Sequence, residues 1–165
     1  MKIFGAKNEK ESRSKHLMGC CEGMVMNIKD CDDDIVSSGI LGDGFAVYPR
    51  YETIESPVGG HVVEIASPVS GRVADITHKP ETIILKTDDG LKVLVSFKSF
   101  TANQVYMTVR AGDEVEAGTH ISDLKLEDNN DKAVFVIIEN SDKLRKLEIS
   151  KGKSASDKPA AEYEL

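Results

Sequence analysis

Four histidines, three cysteines and several acidic runs are the residues of this chain whose side chains could transfer a group or hold a metal. Neutral imidazole is a nucleophile near pH 7 and a common metal ligand. His16, His61, His78 and His120 are spread along the chain, and no HxH or HExxH pair occurs, so the sequence predicts no metal site. Cys20 and Cys21 are vicinal rather than CxxC, and Cys31 lies apart from them. An odd count argues against a disulfide framework and for a reducing compartment, hence a cytoplasmic location. Asp32-Asp33-Asp34 lacks the alternating spacing of a calcium loop and reads as a solvated turn. Gly42-Asp43-Gly44 is not followed by the Lys and helix of a phosphate-cradling loop. His61 opens an alternating strand and is expected on the surface, His120 in a turn without a partner, and His16 in a tail. No cofactor is expected.

The elements that must position these residues read as β. In 165 residues, 40% are hydrophobic and 30% charged, and the net charge of −7 disfavours nucleic acid as a partner, since phosphates call for clustered Lys and Arg. Short runs rich in Val and Ile alternate with Gly, Pro, Asp and Asn, which predicts strands over Met24–Ile28, Phe45–Tyr48, His61–Ile65, Arg72–Ile76, Thr82–Thr87, Lys92–Phe97, Gln104–Val109, His120–Leu124 and Ala133–Ile138. Asp88-Asp89-Gly90 has hairpin-turn chemistry, and Asp142–Leu147 suits one short helical turn. Many short strands imply an all-β antiparallel sandwich or barrel-sandwich.

Residues 1–18 read as a flexible tail, 19–152 as the β domain, and 153–165 as a C-terminal strand or tail. Leu17-Met18-Gly19-Cys20 matches a lipoprotein cleavage box, but the charged stretch from Lys7 to Lys15 is not the apolar segment such a signal needs. No apolar run is long enough to span a bilayer, and stable membrane insertion is not expected. Ser56 to Ile65 is repeated at a spacing of eleven by Ser67 to Ile76, which predicts two similar hairpin arms packed side by side.

Several stretches resemble the glucose-type IIA domains of the bacterial sugar phosphotransferase system. Gly23-Met24-Val25-Met26-Asn27-Ile28-Lys29-Asp30 resembles the first strand of that family. Gly39-Ile40-Leu41-Gly42-Asp43-Gly44-Phe45-Ala46-Val47-Tyr48-Pro49 resembles its VGDG-apolar-A-apolar-x-P segment, and Ser67-Pro68-Val69-Ser70-Gly71-Arg72-Val73 its APVDG turn and strand. Val109 to Gly118 adds a match shared with biotinyl and lipoyl carrier domains. The resemblance implies a β-sandwich with a shallow apolar face that takes a phosphoryl group from a histidine phosphocarrier protein and passes it to a sugar permease domain.

In that family two histidines face each other across neighbouring strands, one accepting phosphate and the other stabilising the product. Laid against the family without a gap from Gly71 to Ser96, this chain has Glu81 at the supporting position and Ser96 at the acceptor position. In Leu94-Val95-Ser96-Phe97-Lys98-Ser99-Phe100, Lys98 replaces a glycine and Phe100 an aspartate of the family's VHFGID pattern. A phosphoserine is a lower-energy ester that would not hand its group on, and serine needs an adjacent base to become nucleophilic. The first expectation is therefore a catalytically silent homologue that binds a protein partner through the former transfer face, lined by Leu41, Asp43, Phe45, Ile83, Phe97 and Phe100. Two alternatives stand beside it: a working phosphocarrier whose acceptor has moved to His78, and a biotinyl- or lipoyl-like carrier with Lys125 as the nearest modifiable lysine.

Overall fold

The computed structural model describes residues 15–50, 61–126 and 132–165. In chain order the elements are β1 (Lys15–Met18), β2 (Gly23–Asn27), α1 (Asp34–Ser37), β3 (Asp43–Pro49), β4 (His61–Ala66), β5 (Gly71–Thr77), β6 (Thr82–Lys86), β7 (Lys92–Ser96), β8 (Val105–Met107), β9 (Glu114–Val115), β10 (His120–Leu126), β11 (Val134–Ile138), β12 (Lys146–Ile149), β13 (Gly152–Ser154) and β14 (Pro159–Glu164). Three 3-10 turns, at Ile28–Asp30, Ala102–Gln104 and Ser141–Lys143, complete the set.

The strands form an eight-stranded sheet in the order β13-β2-β3-β11-β7-β6-β5-β9 and two three-stranded sheets, β4-β10-β8 and β1-β14-β12. Every pairing is antiparallel. The fold class is thus the all-β one expected, with rather more helical turn than the single one foreseen.

Alternation decides which side chain faces which layer. In β7, Val93 and Val95 enter the main core with Phe45, Ile83, Leu85 and Phe97, while Leu94 turns to the opposite face. Central strand β11 is buried on both faces, which explains its unbroken apolar run: Val134, Val136 and Ile138 join the main core, and Phe135 and Ile137 a second cluster. That second cluster (Ile28, Cys31, Val36, Ala46, Ala133, Phe135 and Ile137) lies on the outer face of the long sheet and is roofed by α1 through Val36.

The N-terminal end departs from expectation, whereas the C-terminal end is a strand, one of the two forms expected. Lys15–Met18 is a strand paired with β14, because Leu17, Ala161 and Tyr163 bury apolar surface in the main core. Four residues are too few for alternation to announce a strand in the sequence. Residues 1–14 lie outside the described residues, as do residues 56–60, which open the first copy of the repeat. Its two strands, β4 and β5, fall in different sheets rather than side by side. The helical turn expected over Asp142–Leu147 is confined to Ser141–Lys143, and β12 follows it.

Asp89, at the turn joining β6 and β7, ties three layers of sequence together. Its carboxylate accepts hydrogen bonds from Tyr163 Oη at 2.9 Å and from Thr87 Oγ1, and lies 3.2 Å from Lys15 Nζ. Burial works to raise its pKa, but the bonds from Thr87, Tyr163 and Lys15 outweigh that and hold it below the usual 3.8. Burial and the same carboxylate push the Tyr163 hydroxyl the other way.

Candidate functional site

The register of the β6–β7 hairpin fixes where Glu81 and Ser96 sit. Thr82 pairs with Ser96, and the Glu81 carbonyl accepts a 2.9 Å bond from Phe97 N. The two positions thus lie at one end of one hairpin, a single residue out of register. Phe135 pairs with both Ala46 and Ser96, so Ala46, Phe135, Ser96 and Thr82 form a row across the outer face. Ser96 is 6% exposed, and its hydroxyl lies 3.4 Å from the Lys98 amide that donates to it.

No histidine occupies either position, but one approaches. His78, in the turn between β5 and β6, places Nδ1 2.6 Å from Glu81 Oε2. The Glu81 side chain is 12% exposed and that of His78 67%. The carboxylate therefore fixes one ring nitrogen, and an imidazole so held presents its other nitrogen outward. Lys79, next to it, adopts φ of 69°, and the Lys79–Pro80 peptide is cis.

A second polar contact links the end of β7 to α1. Lys98 Nζ lies 2.9 Å from Asp33 Oδ2, and Asp33 caps α1 by accepting from the backbone N–H groups of Ile35 and Val36 at 3.0 Å. Burial acts to raise the Asp33 pKa, but these N–H groups and Lys98 prevail and keep it low. The acidic run 32–34 is thus a helix start rather than a solvated turn.

The glycines of Gly42-Asp43-Gly44 have a steric cause. A Cβ on Gly44 would sit 1.9 Å from the Val136 carbonyl oxygen of β11, and Gly42, at φ 124°, would put one 2.1 Å from the Ile138 oxygen. Any side chain there would drive β3 off β11.

The face expected from sequence is only partly a face. Phe45, Ile83 and Phe97 are fully buried in the main core and Phe100 nearly so, because the alternation of their strands turns them inward. Leu41 is exposed and Asp43 half-buried, its N–H bonded to Ser141 Oγ at 3.1 Å. The exposed apolar residues beside them are Ile35 on α1 and Ile40 in the loop after it, both passed over in the sequence. Half-buried Leu94 and Ile84 pair across β7 and β6 on the same side of the sheet.

His120 is not an unpartnered turn residue. It opens β10 and places Nε2 2.7 Å from Asp123 Oδ1. Lys125 lies within β10 opposite Val62, not at a hairpin tip. Cys20, Cys21 and Cys31 are free and buried; burial pushes the Cys21 thiol up to about 12 and Cys20 higher than usual as well, so neither is a nucleophile at neutral pH.

The family model described as phosphoenolpyruvate-dependent sugar phosphotransferase system, EIIA 1, matches residues 15–144. The chain belongs to this family. Among curated EIIA relatives, the PTS system glucose-specific EIIA component of Halalkalibacterium halodurans is 30% identical over 160 residues, covering 89% of this chain and 86% of that one. The protein of the same description from Staphylococcus aureus is 30% identical over 156 residues, covering 90% and 87%. The solved glucose permease IIA from Mycoplasma capricolum shares the fold, with a TM-score of 0.65, 18% identity, and 91% of this chain and 96% of that chain covered. The EIIA fold is therefore retained here while the residues at the hairpin end are Glu81 and Ser96. Among the described residues no helix is long and apolar enough to cross a membrane.

Proposed function

We propose that this EIIA-family chain does not run a two-imidazole phosphoryl relay and serves as a cytoplasmic binding or regulatory homologue of the sugar phosphotransferase system. The observation that carries the reading is the pair Glu81 and Ser96 at adjoining positions of the β6–β7 hairpin end. A carboxylate repels an incoming phosphoryl group, and a hydroxyl that is almost wholly buried cannot reach a donor. The partner is a protein of the same system, a histidine phosphocarrier protein or a permease domain, engaging the exposed apolar residues Ile35, Ile40 and Leu41 beside α1.

One contact favours a second reading. Glu81 holds His78 by Nδ1 at 2.6 Å, an arrangement that orients an exposed imidazole. On this reading His78 is a displaced acceptor, with Glu81 its positioning residue. A single experiment separates the two. The chain is incubated with the phosphocarrier protein, its kinase and phosphoenolpyruvate, and its intact mass is measured. The silent reading expects no gain of about 80 Da, one phosphoryl unit. A stoichiometric, acid-labile gain overturns it, and loss of that gain in His78→Gln assigns the acceptor.

A further inference from the structure

We propose that Glu64, His120 and Asp123 form a surface site for a divalent first-row transition-metal ion of the zinc type. One ligand atom from each residue lies within 4.8 Å of the others. The site is on the β4-β10-β8 sheet, not on the β6–β7 hairpin, and stands or falls independently of the phosphoryl question.

The chain builds this cluster by a local irregularity. In a regular strand, positions three apart point to opposite faces, so His120 and Asp123 would be separated by the sheet. The β10–β4 register shifts by one residue between His120 and Ser122. Ile121 and Ser122 are consequently both fully buried, and His120 and Asp123 emerge on the same outer face. Re-aiming a side chain is what a bulge does. Past the bulge the register sets Asp123 directly opposite Glu64, so two carboxylates confront each other across the strand pair, with the His120 imidazole against Asp123.

Like charges directly opposite on a sheet repel. One imidazole, itself charged only when protonated, offsets them poorly; a divalent cation does so fully. The donor set of one imidazole nitrogen and two carboxylate oxygens suits zinc and its neighbours, with bonds of about 2.0–2.2 Å. Calcium and magnesium, which take oxygen ligands, gain nothing from His120. Donors of one tetrahedral ion sit about 3.3 Å apart at those bond lengths. The 2.7 Å contact between His120 and Asp123 therefore has to open slightly, a movement that exposed side chains make by torsion alone. Glu64 and His120 also line a cavity of about 690 Å³, whose walls include Glu22, Arg50 and His61, and which gives solvent access to the ion's remaining positions.

The test is isothermal titration of the full chain with zinc chloride, with calcium chloride in parallel. One equivalent of zinc is expected to bind with a micromolar dissociation constant. His120→Ala or His120→Gln should weaken it at least about tenfold, Glu64→Gln and Asp123→Asn should each weaken it, and His78→Gln, at the His78–Glu81 pair, should leave it unchanged. All these side chains are at least partly exposed, and circular dichroism checks that each variant keeps the fold. No saturable zinc binding, binding that survives both His120 substitutions, loss in His78→Gln, or calcium binding as tight as zinc would each overturn the proposal.

Discussion

The two faces of the eight-stranded sheet are built from the same strands and behave as different materials. The inner face, with Phe45, Ile83, Val93, Val95 and Phe97, is closed off from water. The outer face carries a smaller cluster, a polar row containing Ser96 and Thr82, and a one-turn roof whose Ile35 and neighbouring Ile40 remain 57% and 79% exposed. A face that must hold the sheets together cannot spare side chains for a partner. A face that is only partly covered can change its chemistry without loosening the domain. Ser96, at the hairpin end, falls on this outer side, so a change there leaves the inner packing whole.

That contrast can be broken or sharpened in three ways. The largest effect is expected from the inner side. Phe97→Ala should cost about 3–5 kcal/mol in chemical denaturation, the range for deleting a buried aromatic ring. A cost under about 1 kcal/mol would return Phe97 to the docking face and erase the distinction.

Next comes the seam where the β6–β7 turn meets the terminal strands. Asp89→Asn should cost about 1–3 kcal/mol at pH 7, since it removes a charged acceptor from Tyr163, Thr87 and Lys15. Because the folded pKa of Asp89 lies below its ordinary 3.8, its contribution is complete above that value and is lost as pH falls through it toward the lower folded value. Asp33 acts in the same direction. Urea midpoints followed from pH 6 downward should therefore fall in acid, and less steeply in Asp89→Asn; equal slopes would contradict the assignment.

The smallest effect on stability is expected outside. Ile40→Asp should change stability by no more than about 0.5 kcal/mol, as an exposed substitution does. It should nonetheless weaken binding of the histidine phosphocarrier protein or permease domain at least about tenfold in a titration, an anchor's share of an interface. Unchanged binding would remove the loop after α1 from the docking surface.

Much of the fold was legible in the chain. Each of the nine expected strands corresponds to an observed one, because alternation of Val and Ile between Gly, Pro and Asp breaks is a local signal. The turn expected at Asp88-Asp89-Gly90 lies where the sequence put it, with Gly90 at φ of 92°, while the interest of Glu81 and Ser96 came from the family resemblance. What failed were the judgements that need a third dimension. Phe45 and Phe97 carry the same apolar letter whether they face a partner or the opposite sheet, and only pairing reveals which. Asp33 looked solvated because the donors to its carboxylate are backbone N–H groups and its cation, Lys98, lies far along the chain. His120 looked solitary because a bulge, invisible to a period-two pattern, gives it Asp123, and because Glu64 reaches it only across the ladder.

One pairing bears on the order in which the domain can be completed. Among the described strands, β1, near the beginning of the described chain, pairs with β14 alone, which also holds β12. During synthesis, residues 15–18 wait with an open edge until residues 159–164 have left the ribosome, whereas the hairpin of β6 and β7 can close as soon as it emerges. A later-made stretch is thus the clasp for an earlier one.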